Sequence, residues 1–241
     1  LQRYCLDVLP KKRSAGPIEA FHLQAVLKHP IAKVDTQTIT LAAIGEYRDY
    51  RLTQVSGSTV RRELGIIQHA FNTARKEWGI AVPDLREMSK PPANKARGRR
   101  LTDDDLNSLN AAFSQCRNKV IKPAVLFAIA TGMRRGEVLS LRWSSIDLEQ
   151  HTAFLAMTKN GDSRTVPLSP QALQALEMLP ATTSNRKEND LVFPISANAL
   201  RLSWEKMRRR AGITDLRFHD LRHEAISHFF ELGLSVPEVS L

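Results

Sequence analysis

The chain has 241 residues, 42% apolar and 25% charged, a composition that suits one large or two ordinary globular domains rather than a disordered or membrane protein. Its longest apolar run, Ala124 to Ala130, falls far short of the roughly 18 residues a membrane helix needs, so no membrane partner is expected. The two cysteines, Cys5 and Cys116, are too few for a disulfide framework and fit a reducing cytoplasm.

The net charge of +10 is unevenly spread: residues 1–100 hold 18 Lys and Arg against 9 Asp and Glu, and residues 101–241 hold 17 against 16. A basic module followed by a near-neutral one suggests that the first half grips a polyanion. Nucleic acid leads, because neutralising phosphates releases counterions and gives strong, salt-sensitive binding. Leu1 in place of a methionine suggests that the natural N-terminus lies upstream.

The first 80 or so residues read as helices. Thr38 to Gln54 sets Leu41, Ile44, Tyr47 and Tyr50 three apart, roughly along one helical face. Ser58 is a suitable N-cap for a long helix, Thr59 to Trp78, with Leu64, Ile66, Ile67, Ala70, Phe71 and Ala74 on its apolar side and Gly79 as its stop. Residues 89–100 combine two prolines with five basic residues, which predicts a linker lying along DNA. A second domain opens at Thr102, an N-cap followed by Asp103, Asp104 and Asp105, acids suited to a first turn. Val120 to Ala130 reads as a core helix, with Pro123 tolerable near its start. Two short strands, Ala153 to Met157 and Arg164 to Leu168, flank the strong turn signal Asn160-Gly161. Helical pattern resumes at Pro170 to Leu179, Asn198 to Arg210 and His219 to Leu232. The domains are therefore expected at 1–88 and 101–241, joined by the basic linker 89–100.

Three segments of the second domain carry chemistry. In Thr131-Gly132-Met133-Arg134-Arg135-Gly136-Glu137 a glycine turn leads into a helix, with Arg134 expected in its first turn and Glu137 three residues on. A cation there opposes the helix dipole and forgoes stability, which makes it a place to look for anion binding; the bland alternative is a surface Arg–Glu pair. Lys159 is expected at the tip of the hairpin, where exposed lysines are also commonplace. In His219-Asp220-Leu221-Arg222-His223, His219 and Arg222 are helical neighbours. An imidazole beside a guanidinium can handle a proton and bind a phosphate oxygen at once, although a solvated helix start would look the same. A zinc reading of His219 and His223 explains less. The metalloprotease glutamate would be a shorter aspartate, a cation would sit inside the metal motif, and the Gly-Met-Arg segment would have no role.

Taken together and in this order, the three segments resemble the tyrosine recombinase or phage integrase family: TGxRxxE, a hairpin lysine, and HxLRH. In the first domain, Ser58 to Leu64 followed by Ala70-Phe71-Asn72-Thr73-Ala74 looks like the family's helical core-binding domain. The resemblance implies a mainly α protein with a small antiparallel β-sheet, a helical N-terminal core-binding domain preceding a mixed α/β integrase-type catalytic domain. It implies that Arg134 and Arg222 clamp the scissile phosphate, that Lys159 protonates the leaving 5′ oxygen and that His219 assists proton transfer. Glu137 would support the arginine and the histidine from behind, and His223 would be structural. Thr59, Arg61, Arg62, Lys95, Arg97, Arg99 and Arg100 are the expected DNA contacts. The implied partner is a double-stranded recombination site, bound by a homotetramer of a prokaryotic or phage-encoded cytoplasmic protein, with no metal or other cofactor.

The family's nucleophile is a tyrosine near the C-terminus. This chain has Tyr4, Tyr47 and Tyr50, all in the first domain, so it is expected to bind DNA without cleaving it. The alternatives are a non-catalytic DNA-binding regulator on a recombinase scaffold and a type IB topoisomerase, the latter disfavoured by the core-binding domain and the Gly-Met-Arg segment.

Overall fold

The computed structural model describes residues 1–12, 15–94, 98–156, 163–180 and 187–240. They form two compact units, Leu1–Arg97 and Gly98–Leu241.

The first unit is helical: α1 (Gln2–Asp7), α2 (Ala15–Lys28), α3 (Leu41–Leu52) and α4 (Gly57–Glu77), with 3₁₀ turns at Leu9–Lys11 and Pro30–Lys33. The α4 helix starts two residues earlier than the sequence suggests. Ser56, not Ser58, caps it, accepting the Thr59 N–H at 3.4 Å, while the Ser58 hydroxyl takes the Asn94 N–H at 2.9 Å. Gly57 and Ser58 fit the first turn, where backbone donors need no intrahelical partner, so the earlier serine takes the cap. As the pattern predicts, Leu64, Ile66, Ile67, Ala70 and Phe71 are buried, and Gly79 adopts a left-handed φ of 64° just past the helix. In α3 only Ile44 and Tyr47 are buried, whereas Leu41 and Tyr50 are exposed. A strict three-residue spacing drifts by about 60° per step on a 3.6-residue helix, so four such positions cannot share one face.

Two polar clusters are built into this unit. Tyr4, fully buried, shares hydrogen bonds of 2.8 Å with His69 Nδ1 and with the Lys12 ammonium, which also holds Glu19 at 2.7 Å. Glu63, also buried, accepts from the Tyr47 hydroxyl at 2.8 Å and from Arg51 at 3.0 and 2.8 Å.

The second unit runs α5 (Asp103–Ser114), α6 (Ile121–Thr131), α7 (Arg135–Ser140), β1 (Ile146–Asp147), β2 (Thr152–Leu155), β3 (Arg164–Pro167), α8 (Pro170–Glu177), α9 (Ala197–Arg210), α10 (Asp220–Glu231) and α11 (Val236–Ser240). Thr102 caps α5 reciprocally with Asp105: the Thr102 hydroxyl takes the Asp105 N–H and the Asp105 carboxylate takes the Thr102 N–H. The α6 helix contributes Ile121, Ala124, Val125, Phe127 and Ala128 to the core. Pro123 lies in its first turn, where no intrahelical donor is missed. The sheet is antiparallel in the order β1-β2-β3, with Ala153 opposite Val166 and Leu155 opposite Arg164. Alternation buries Ala153, Leu155 and Val166 and turns Phe154 and Thr165 outward. Strand β1, two residues long, is too short to leave a periodic signal and was not anticipated. The Asn160-Gly161 turn lies outside the described residues. The architecture is thus mainly α with one small antiparallel sheet, and among the described residues no helix is long and apolar enough to cross a membrane.

Candidate active site

The Thr-Gly-Met-Arg segment is a helix-to-helix corner. Thr131 closes α6 by donating its hydroxyl to the Phe127 carbonyl at 2.7 Å. Gly132 then turns the chain with φ 62° and ψ 12°. A Cβ here would be strained by the dihedral and would meet Ala225 Cβ and Phe229 Cε2 of α10 at 3.3 Å. Met133 is buried in the core, which fixes the direction of Arg134. Arg134 is not in the first turn of α7, as the sequence suggested. It is the extended residue before it, with φ −66° and ψ 146°, so its side chain leaves the corner rather than the helix barrel and does not directly oppose the α7 dipole.

Glu137 organises the charges around this corner. One carboxylate oxygen accepts from Arg134 Nη1 at 2.8 Å. The other accepts from the Arg134 backbone N–H and from Arg164 Nη2, both at 2.8 Å. Burial alone would raise the Glu137 carboxyl, but the Arg134 N–H, the Arg134 guanidinium and Arg164 outweigh it and hold the group below its ordinary value. Among the described residues no hydrogen bond joins Glu137 to His219.

Helix α10 brings the third segment to the same corner. Arg222 Nη1 donates to the Gly132 carbonyl. Burial, and then the positive charge of Arg134, weakens the protonated form of Arg222; Arg164 adds to this and Glu137 opposes it. An arginine does not give up its proton in a protein, so Arg222 keeps its charge despite the burial and the neighbouring cations. His219 lies one position before α10. Burial, followed by the neighbouring His223, Arg222 and Arg134, lowers it below the ordinary imidazole value, against the opposing pull of Asp220. His219 is therefore neutral at pH 7 and able to accept or donate a proton. His223, exposed, sets its ring edge-on to His219 at a centroid distance of 5.0 Å. A cavity of about 360 Å³ lies beside them, walled by Met133, Arg135, Gly136, Phe218, His219 and Arg222 among others. Among the described residues no three His, Cys, Asp or Glu side chains are grouped to hold a metal ion.

Arg134, Glu137, His219 and Arg222, spread over 89 positions, thus share one electrostatic neighbourhood. Lys159 lies outside the described residues. Arg164 belongs to the neighbourhood but was not anticipated. Its signal was present: alternation in Arg164-Thr165-Val166 places Arg164 on the same face as buried Val166, and an inward arginine needs a carboxylate.

The expected DNA contacts fare differently. Arg62 is exposed. Arg61, also exposed, reaches the Pro91 carbonyl at 3.2 Å, and the Thr59 hydroxyl pairs with Ser56 at 3.1 Å. Lys95 and Arg97 lie outside the described residues. Arg99 is held by Asp105 at 2.8 Å and Asp215 at 3.1 Å. Arg100 is held by Glu224 and Glu231, each at 2.9 Å. These last two arginines are neutralised within the second unit and brace the start of α5 and the body of α10.

The phage integrase family profile matches residues 99–240, the whole stretch that builds this corner. The chain belongs to the phage integrase family. Across its full length this family member is 39% identical to the shufflon-specific DNA recombinase of Escherichia coli, of which it spans 63%. It is 34% identical to a Haemophilus influenzae relative described as an integrase/recombinase, over 94% of this chain and 75% of that one. In fold, this integrase-family chain is similar to lambda integrase solved as a dimer bound to a COC′ core site. That match has a TM-score of 0.79 at 18% identity and covers 99% of this chain and 90% of that one. The Tn1549 transposon integrase, solved in complex with circular intermediate DNA, is similar with a TM-score of 0.76 at 14% identity, covering 99% and 88%.

Proposed function

We propose that this chain is the DNA-gripping and phosphate-activating part of a site-specific recombinase that breaks and rejoins DNA through a 3′-phosphotyrosine. The observation that carries this reading is the excess of positive charge around Glu137, with Arg134 and Arg222 unbalanced by further carboxylates and with Arg222 and His219 lining a cavity. In-line attack at a phosphodiester builds negative charge on the phosphoryl oxygens, and fixed guanidiniums supply the opposing charge without reorganising. The tyrosine oxygen forms a bond to phosphorus as the bond to the 5′ oxygen breaks. That oxygen takes its proton from Lys159, the general acid in this reading. His219, neutral, assists the proton's movement, and Glu137 holds Arg134 in place. The phosphotyrosine conserves the bond energy, so rejoining needs no nucleotide cofactor.

None of the chain's own tyrosines suits the nucleophile's part. Tyr4 and Tyr47 are fully buried and hydrogen-bonded inside the first unit, and Tyr50, though exposed, belongs to that helical unit and not to the unit that holds the arginine corner. The 241-residue chain should bind a recombination site without forming a covalent adduct, while the full-length protein, acting as a tetramer on paired sites, should form one on a nicked suicide substrate. An adduct with the 241-residue chain, or none with the full-length protein, contradicts this. The latter result, with site-specific binding retained, would favour the non-catalytic regulator.

A further inference from the structure

We propose that Arg164 is a positioning residue for the phosphate-binding arginines, acting through Glu137; the inference rests on the recombinase reading of the site. Glu137 with Arg134 alone would be a neutral pair, and the field that Arg134 offers an anion would be largely cancelled. Arg164, bound to the second carboxylate oxygen at 2.8 Å, leaves the trio with a net positive charge. Geometry adds to this. The oxygen that holds Arg164 also holds the Arg134 backbone N–H, so the carboxylate cannot rotate and its remaining oxygen stays on the Arg134 guanidinium. The Arg134 fork is then aimed by three contacts rather than one.

Pairing with Glu137 stabilises Arg164 but does not satisfy all of its polar atoms. Its side chain is only 15% exposed, and among the described residues its buried Nε has no hydrogen-bond partner. A buried donor left unmade is unfavourable and marks a residue retained for another reason. Arg164 also borders, with Arg222 and Gly132, a groove of about 280 Å³, so it faces the same corner as the second arginine. Finally, β3 is the strand that follows the Lys159 segment, five residues downstream of that lysine. The Arg164–Glu137 bond therefore ties β3 to α7, the helix that Arg134 immediately precedes.

The test uses the 241-residue chain labelled with ¹⁵N-arginine and titrated with inorganic phosphate, following the Nε–H signals of Arg134 and Arg222. Arg164→Gln should weaken phosphate roughly tenfold, the loss of about one charge-assisted contact, with the thermal midpoint shifted by only a few degrees. Arg164→Lys should recover much of the affinity, because it restores the charge on the second oxygen. Combining Arg164→Gln with Arg134→Gln should weaken phosphate no further than Arg134→Gln alone. Unchanged affinity in Arg164→Gln beside a large loss in Arg134→Gln overturns the positioning role. So does a double variant whose losses simply add. If Arg134→Gln itself leaves affinity unchanged, the phosphate pocket fails, and this inference fails with it. Should Arg164→Gln not fold, Arg164→Met takes its place, removing the charge while keeping a long side chain: phosphate weakened by a similar factor supports the role, and unchanged affinity contradicts it.

Discussion

Both units of this chain bury a glutamate among arginines, and the two clusters behave as opposites. In the first unit, Glu63 is matched by one arginine, Arg51, and by the neutral hydroxyl of Tyr47. Charges balance and the carboxylate's partners lie within its own unit's core, so the cluster is a structural clamp between α3 and α4. Burial, then Glu63, pushes the Tyr47 phenol far above its ordinary value, so it stays a hydrogen-bond donor at any working pH. In the second unit, Glu137 is outnumbered: Arg134 and Arg164 bind it, and Arg222 adds its charge nearby. The same residue types, set one against one, make structure; set unevenly beside a cavity, they leave the excess positive charge on which the proposed phosphate site rests.

The contrast can be broken most forcefully through Arg222. In the full-length protein, Arg222→Gln should slow covalent capture of a suicide substrate by about a hundred- to a thousandfold, the usual consequence of losing one donor to a developing oxyanion. The same change in the 241-residue chain should leave the thermal midpoint unchanged or raise it, since it removes a charge from a net-positive cluster. A large destabilisation would recast Arg222 as a structural residue. The mirror experiment is Glu63→Ala, which strands Arg51 beside a buried tyrosine. It should cost about 3–5 kcal/mol in denaturant unfolding, and a loss under 1 kcal/mol would deny the clamp.

Next in size is the corner itself. Gly132→Ala forces a side chain into a left-handed residue against Ala225 and Phe229 and should cost about 1–2 kcal/mol. Full stability in that variant would mean that α6 and α10 approach less closely than described. A smaller effect separates free from committed arginines. Arg62→Ala should reduce the slope of log affinity against log salt for duplex DNA by about 0.9, whereas Arg100→Ala, whose guanidinium already serves Glu224 and Glu231, should leave the slope alone. Equal slopes for both variants would erase that distinction.

The least effect concerns pH. The Glu137 carboxyl is held below its ordinary value in the folded chain, so the unfolded chain binds its proton more readily. The stability this contributes is fully present above the ordinary carboxylate range and is lost as pH falls through the lower, folded value. Glu137→Gln should therefore flatten the acid limb of the stability curve, and an unchanged limb would show that the carboxylate gains nothing from its arginines.

Much of this molecule was legible before any coordinates, and the exceptions have physical causes. The apolar face of α4, the reciprocal Thr102–Asp105 cap and the core helix α6 follow from periodicity and local hydrogen bonding, which neighbouring residues decide among themselves. The α3 stripe misled because three-residue spacing imitates a helical face for two steps and then leaves it. Arg134, His219 and Arg222 were singled out by motif, yet nothing local could show that Glu137 is shared with Arg164, 27 positions away. Likewise, the run Arg99-Arg100 gave no sign of the carboxylates that hold it, because Asp215, Glu224 and Glu231 come from the far end of the chain. Partners distant in sequence convert a charge pattern into either a brace or a site.

The account turns on one oxyanion seated between Arg134 and Arg222. A crystal of the 241-residue chain soaked in tungstate, a heavy stand-in for phosphate, would show this directly. The account predicts anomalous density within hydrogen-bond reach of both guanidiniums and beside His219. Tungstate bound only at other basic surfaces, with this corner empty, would contradict it.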